Sequence, residues 1–457
     1  MVFSKLFGKS QAEAPPVPSA PDEDDEAPTP EGDPDVVEDT IDWAARAARL
    51  IPGGASTGSK RAATLYGRES TNLPTHFVRA AGCHVQTADG QMLVDCTMAL
   101  GSVALGYAEP QLTRAVIEAV ASGSVSGLSP ALEVEVAERF CGVVPCAERV
   151  LFLKTGAEAV SAAVRIARTY TGRDVVVGCG YFGWHDWSGD AAGIPKETRT
   201  LYRSVPFDDV PALEKAVAEA GNRLAAIVLE PVIERLPSKE WVSRARALAS
   251  ERGAALVFDE VKTGFRLATG GYQQYADIVP DLAAFGKALA NGFPLSAVCG
   301  SAPLMEAASK TWISSTLASE TSALAAAAAV LAWHDRADIC ATLWSTGREM
   351  RDVVGAAAMA ADVEGVTVDG IDPMWRLRFD DPSVESAFVA AAARNGVLFK
   401  RGAYNFAAVA HDEDAIREIE TGASAAFVEL REQPLHEDDD TTPEDRDVTD
   451  AVDADDE

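Results

Sequence analysis

The chain has 457 residues, 47% of them hydrophobic, and its 40 Lys and Arg against 70 Asp and Glu give a formal net charge of −30. That is enough apolar material for a large core, no apolar stretch approaches the ~20 residues that span a bilayer, and so acidic a chain argues against nucleic acid as a partner. Seven cysteines, an odd number without paired metal-ligand spacing, indicate a reducing compartment, so the expected location is the cytoplasm.

Most of the acidity sits at the ends: residues 1–40 carry −9 and residues 432–457 carry −12, leaving −9 for everything between. Pro15–Asp35 and Glu437–Glu457 are rich in Pro, Asp and Glu and nearly free of large apolar residues, so both tails are predicted to be disordered. Ahead of the first acidic run, Val2-Phe3-Ser4-Lys5-Leu6-Phe7 forms a small apolar and basic island without the long apolar core of a secretory signal. The tails read as solubilising, with a docking or assembly role as the rival.

Further along, Asp89-Gly90 reads as a hairpin turn and Leu93-Val94 as a short strand. Arg149–Leu153 reads as a buried strand, and the spacing of Val160, Val164, Ala167 and Tyr170 predicts a helix with one apolar face. A turn containing Gly156 therefore opens a helix at a strand end. Outward-pointing N–H groups and the helix dipole suit a phosphate there, with an ordinary capped helix as the alternative. Strand runs recur at Ala225–Leu229 and Ala255–Phe258, and between them Trp241, Ala245, Leu248 and the stop at Gly253 mark a helix. This alternation predicts a parallel sheet covered on both faces, with ligands bound beyond the carboxyl ends of its strands.

Asp259-Glu260 stands at such an end, and 28 residues later Lys287 lies in Phe285-Gly286-Lys287-Ala288-Leu289-Ala290-Asn291-Gly292. An amine and a carboxylate so placed are what an enzyme needs to hold pyridoxal phosphate (PLP). The lysine bonds the aldehyde and the aspartate keeps the ring nitrogen protonated. Taken singly, a loop lysine and a helix-capping aspartate are the alternatives. His185-Asp186 invites a dyad or metal reading, but only six histidines occur in the chain and none is nearby, so no metal site is expected.

In chain order, several segments together resemble the class III pyridoxal-phosphate aminotransferases, in the branch around glutamate-1-semialdehyde aminomutase. They are Pro52-Gly53-Gly54 with Ser56-Thr57, Asp89-Gly90 through Glu109-Pro110, Thr155-Gly156-Ala157, the loop at Tyr181, Asp259-Glu260-Val261, Lys287 and Ser314-Ser315-Thr316-Leu317. The resemblance runs from about Ile51 to about Ala426. It implies an α/β fold-type I transferase: a large PLP-binding domain, 96–330, with a mostly parallel central sheet, and a smaller α+β domain from both chain ends, 41–95 and 331–431, flanked by the tails 1–40 and 432–457. By the same resemblance Thr155, Gly156 and Ala157 lie at the cofactor phosphate and Tyr181 stacks on the ring, with Val261 on the opposite face. Asp259 contacts the ring nitrogen, and Lys287 carries the covalent bond. Thr316 reaches the phosphate of a neighbouring subunit, which implies a homodimer. Lys60 and Arg61 lie where relatives place a cation for a substrate carboxylate, and Gly396–Gly402 with Phe406–His411 look like the family's last strand pair.

The chain also departs from the pattern. Ala157 stands where relatives carry Ser or Thr, Phe182 where His is common, and Ser319-Glu320-Thr321 where Gly-Asn-Pro is usual. The expected function is PLP-dependent amino-group transfer between a small-molecule amino donor and a carbonyl acceptor. This is preferred because a carboxylate at Glu320 beside Thr316 would repel an acidic substrate, unless Glu320 points into a subunit interface instead. The alternatives are a glutamate-1-semialdehyde 2,1-aminomutase and a non-catalytic PLP-binding regulatory or structural protein.

Overall fold

A computed structural model describes residues 41–67 and 72–432. Both acidic tails and the apolar-basic island at residues 2–7 lie outside the described residues. The first strands are β1 (Phe77–Ala81), β2 (His84–Thr87) and β3 (Met92–Asp95), an antiparallel meander. The predicted turn at Asp89-Gly90 joins β2 to β3, with Gly90 in the left-handed region at φ +92°.

The central sheet takes the next seven strands: β4 (Arg149–Leu153), β5 (Val175–Cys179), β6 (Tyr202–Ser204), β7 (Leu224–Leu229), β8 (Ala255–Asp259), β9 (Leu282–Phe285) and β10 (Ser296–Gly300). Their order is β4-β10-β9-β8-β7-β5-β6. Only β10 runs against its neighbours; the remaining pairings are parallel. The strands read as unbroken apolar runs because both faces are covered, and their period of two shows in where the side chains go. Ile227, Leu229, Leu256, Phe258, Ala283 and Phe285 enter one core with Trp241 and Phe140. Ala226, Val228, Val257 and Ala284 enter the other with Val160, Val164 and Ala167 of the helix Gly156–Thr171. Tyr170, expected on that apolar face, is instead exposed near the end of the helix. The helix Lys239–Arg252 between β7 and β8 ends as predicted at Gly253, φ +57°.

Two smaller sheets draw on the rest of the chain: β11 (Val366–Ile371), β12 (Met374–Phe379), β13 (Val397–Leu398) and β14 (Asn405–Phe406). β13 joins β3 in parallel, whereas β14 pairs with β12 in a different sheet. The expected last strand pair is therefore a pair in sequence only. Gly402, at φ +65°, turns the chain between them, and Asn405 Oδ1 accepts the Lys400 N–H at 2.9 Å, which sends the two strands to separate partners.

Met98, Ala99, Leu100 and Gly101 are all left-handed, φ +42° to +78°, a conformation costing roughly 1–2 kcal/mol per non-glycine residue. Asp95 Oδ1 accepts the N–H groups of Thr97 and Met98, and Arg266 donates to Gly101 O at 3.1 Å. Arg266 is fully buried, gives its other bonds to Pro373 O and Ala407 O, and lies 4.9 Å over the Phe406 ring.

Candidate active site

β4, β5, β7, β8 and β9 all point the same way, so the residues that follow them collect along one edge of the sheet. That edge carries Thr155-Gly156, Tyr181, Glu230, Asp259 and Lys287 in turn.

Asp259 is the last residue of β8 and only 4% exposed. Its Oδ1 accepts the Val261 N–H at 3.0 Å, and its second oxygen has no partner among the described residues. Burial, then the neighbouring Glu230, push this carboxyl up to about 8, against the opposing pull of the Val261 N–H and of the Lys287 and Lys262 charges. Lys287 follows β9 after Gly286 and is half-buried, with a left-handed backbone at φ +47°. Burial, then the Lys262 charge, push its amine down to about 8, while Glu230 and Asp259 pull the other way. The turn bearing Lys287 is latched from behind. Asn291 Oδ1 accepts the N–H groups of Ala104 and Leu105 at 2.8 and 2.9 Å, and its Nδ2 donates to Gly106 O.

At the other end of the edge, the helix Gly156–Thr171 opens with a capping box. Thr155 Oγ1 accepts the Glu158 N–H at 3.2 Å, and Glu158 Oε2 accepts the Thr155 N–H at 2.8 Å. The N–H groups of Gly156 and Ala157 have no partner among the described residues. A Cβ on Gly156 would lie 2.9 Å from Val261 Cγ1, so the glycine lets the helix start close against Val261. The loop after β5 leaves the Tyr181 ring 65% exposed. Gly183, φ +87°, presses on Ala157 from that loop, since a Cβ there would come within 2.4 Å of Ala157 Cβ.

The sequence profile described as Aminotransferase class-III matches residues 65–180 and 199–409. The chain is 34% identical over 369 residues to a 2'-deamino-2'-hydroxyneamine transaminase of Streptomyces kanamyceticus, covering 79% of this chain and 92% of that protein. It is 30% identical over 430 residues to a glutamate-1-semialdehyde 2,1-aminomutase of Polynucleobacter necessarius subsp. necessarius (strain STIR1), covering 84% and 97%. Among solved structures it is similar to a PLP-bound FumI protein of Sphingopyxis sp. MTA144, with a TM-score of 0.81 and 28% identity over 85% of this chain and 95% of that one. The chain belongs to the class III aminotransferase family. It is a PLP-dependent enzyme of amino-group transfer with the α/β fold of that family.

The residues along the sheet edge of this aminotransferase fit PLP. A buried carboxylate oxygen without a partner suits a protonated ring nitrogen, a half-buried amine of lowered pKa suits an aldehyde, and two unpaired N–H groups at a helix start suit a phosphate. Other candidates lie elsewhere. Lys60 ends a short turn at Gly58–Lys60 and Arg61 follows it; both are exposed, with the Arg61 guanidinium against Gly53. Thr316 is exposed and lines a hollow of about 350 Å³ with Ser126, Leu128 and Ser319. His185 Nδ1 lies 2.7 Å from Ser161 Oγ.

Glu320 corrects an expectation. It caps the helix Thr321–Arg336, accepting the N–H groups of Ser322 and Ala323, and pairs with Lys154 Nζ of its own chain at 2.9 Å. Burial alone would raise its carboxyl, but Ser322, Lys154 and the helix N–H groups more than offset that and hold it below its ordinary range. A carboxylate so compensated does not repel an acidic substrate, and that ground for preferring a transaminase is withdrawn.

Glu230, Lys262 and Tyr404 were not anticipated in the site. Glu230 carried a signal, since it ends the apolar run of β7 as Asp259 ends that of β8. Nothing in the sequence pattern pointed to Tyr404.

Proposed function

We propose that the enzyme is an intermolecular transaminase, taking an amino group from a small amino-acid donor and giving it to a carbonyl acceptor that carries no acidic group. PLP supplies an aldehyde for the substrate amine and a ring that accepts the electrons left when the α-proton departs. The chain does the rest. The Lys287 Nζ, whose lowered pKa of about 8 leaves a fraction of it unprotonated near neutral pH, would take the α-proton and deliver it to the former aldehyde carbon on the other side of the substrate nitrogen. The free oxygen of Asp259 holds the proton at the ring nitrogen, and Val261 and Tyr181 flank the ring. Thr155, Gly156 and Ala157 hold the phosphate. The observation that carries the reading is the meeting of Lys287 and Asp259 at adjacent strand ends.

The choice of acceptor rests on charge. Of the cations that act on Lys287, Lys262 is paired with Glu230 and Arg266 is spent on carbonyl groups; Arg376, near Tyr404, is paired with Glu234 and Asp369. Lys60 and Arg61, exposed and apart from the sheet edge in this chain, are assigned to one carboxylate, that of the donor. Similarity to the Streptomyces kanamyceticus transaminase supports an amino-sugar-like acceptor. Similarity over 97% of the Polynucleobacter aminomutase supports the second reading, amino transfer within one molecule of glutamate semialdehyde.

The test is a donor-free reaction with enzyme loaded with the amine form of the cofactor. A transaminase releases one equivalent of amine per site from glutamate semialdehyde, or none, and stops. Sustained turnover without donor makes the enzyme an aminomutase.

The working form is taken to be a cytoplasmic homodimer, with 96–330 as the large domain and 41–95 with 331–431 as the small one. A sheet joining β1, β2 and β3 to β13 supports the division. Strongly exposed Leu128, Trp312 and Leu317 around Thr316 support a subunit contact there, with Thr316 reaching the partner's phosphate.

A further inference from the structure

Lys262 lies three residues beyond Asp259, and its Nζ is 2.6 Å from Glu230 Oε1, with the two side chains 10% and 11% exposed. The other Glu230 oxygen accepts the Tyr181 N–H at 3.0 Å. The chain passes tightly here: Gly180 has φ +133°, and a Cβ on it would lie 2.4 Å from Glu230 Cβ. Lys262 Nζ also sits 4.1 Å from the centroid of the Tyr404 ring, whose hydroxyl accepts the Glu234 N–H at 2.8 Å. One ammonium thus ties the ends of β7 and β8, the Tyr181 loop and the segment around β14 together.

We propose that Lys262 is a positioning residue for amino transfer: it pairs with the Glu230 side chain that anchors the Tyr181 loop, and its charge lies where it favours the ionised form of Asp259 and the unprotonated form of the Lys287 nitrogen. The inference rests on the assignment of Lys287 and Asp259 made above.

The two groups need opposite charge states at neutral pH, one an anion and the other a neutral amine. A nearby carboxylate works against both, because it favours the protonated form of an acid and of an amine alike. Glu230 acts in that sense on Asp259 and on Lys287. A nearby cation favours the deprotonated form of both, which is what the chemistry requires. Lys262 acts in that sense on both groups, and Arg266 adds a smaller push on Lys287. Burial pushes the Lys262 ammonium down, but Glu230 and Tyr404 outweigh it and hold it charged. The pair therefore keeps the Glu230 anchor while Lys262 offsets part of its electrostatic penalty, whereas an apolar residue at 262 would leave a buried carboxylate unpaired.

The experiment is a pH titration of the visible absorbance of the holoenzyme, which reports the proton at the Lys287 nitrogen. Lys262→Met should move the midpoint up by about one pH unit, Lys262→Arg should stay near the wild type, and Glu230→Gln should move it down. Lys262→Met with Glu230→Gln should fall between the single variants. A Lys262→Met midpoint equal to the wild type overturns the proposal, as does a double variant shifted as far as Lys262→Met alone. If Lys262→Met does not fold, an unmoved midpoint in Glu230→Gln overturns it. Borohydride fixation and peptide mapping check the underlying assignment separately. A label on a lysine other than Lys287 in the wild type sinks the reading of the site, whereas a label on Lys287 with unmoved midpoints sinks only the role of Lys262.

Discussion

At the ends of β7, β8 and β9 the site is made of side-chain charge: Glu230 and Lys262 both act on Asp259 and Lys287, which also act on each other. At the start of the helix Gly156–Thr171 it is made of backbone, two N–H groups offered by residues whose side chains are a hydrogen and a methyl. The first region depends on the identity of each residue, because removing one charge leaves its partner uncompensated in a low-dielectric setting. The second depends on shape, because any residue that leaves the backbone in place still presents its N–H. Substitutions should therefore be catastrophic at the charged end and graded at the backbone end.

The largest effect is expected at Lys287. Lys287→Ala removes both the covalent attachment and the proton carrier, and turnover should fall by a factor on the order of 10⁴ or more. Phosphate and ring contacts should still retain the cofactor, so the protein should bind PLP but fail to fix it on borohydride treatment. Mixing this variant with Thr316→Ala tests the dimer as well. After confirmed subunit exchange, recovered activity places Thr316 across the interface, provided Thr316→Ala is itself severely impaired; no recovery places it in its own subunit.

Asp259→Asn comes next, with a loss on the order of 10²–10⁴ in kcat, the range for positioned charges and proton-transfer groups. Near-normal turnover would make Asp259 a structural cap. A second readout uses stability. Without cofactor, the folded Asp259 carboxyl keeps its proton up to about 8, whereas the unfolded chain releases it near its ordinary ~4. Its contribution thus favours folding fully at low pH and is lost as pH rises through about 8. Urea titrations of the cofactor-free protein at several pH values should show this loss in the wild type and a smaller one in Asp259→Asn.

The contrast between the two regions also explains what the sequence disclosed. The placement of Asp259 and Lys287 at strand ends was legible because parallel strands covered on both faces read as apolar runs, and a charged residue at the end of such a run stands out. Helix stops such as Gly253 were legible for a local reason, the αL cap. The pairing of Lys262 with Glu230 was not, since it exists only because β7 lies beside β8. Lys154 and Glu320 are 166 residues apart, and a one-dimensional reading took Glu320 for an uncompensated charge. The left-handed stretch at Met98–Gly101 broke local preference altogether, held by Asp95 and Arg266 from outside the segment.

At the backbone end, Gly156→Ala tests shape directly. The added Cβ would sit 2.9 Å from Val261 Cγ1, so either Val261 or the helix start must shift. Overpacking of this kind costs about 1–3 kcal/mol, and if the strain falls on the bound state PLP affinity should drop roughly tenfold or more. Unchanged affinity, measured by absorbance titration of the cofactor-free protein, would mean that the helix start is not held where Val261 places it.

The smallest effect is expected at Ala157, where relatives carry a hydroxyl. Ala157→Ser adds a donor at the second residue of the helix beside its unpaired N–H, and a new bond from a hydroxyl to a charged phosphate is worth about 1.5–3 kcal/mol at best. Part of that is offset, because the serine gives up rotamer freedom and Gly183 already crowds the Ala157 methyl from the Tyr181 loop. The expected net is a few-fold slower loss of PLP on dialysis against an amine buffer, with kcat unchanged, since the phosphate does not react. The alternative for the new hydroxyl is to bond back within its own helix turn, as serines there do. Faster cofactor loss would show that the loop, and not the missing hydroxyl, sets the fit at this end of the site.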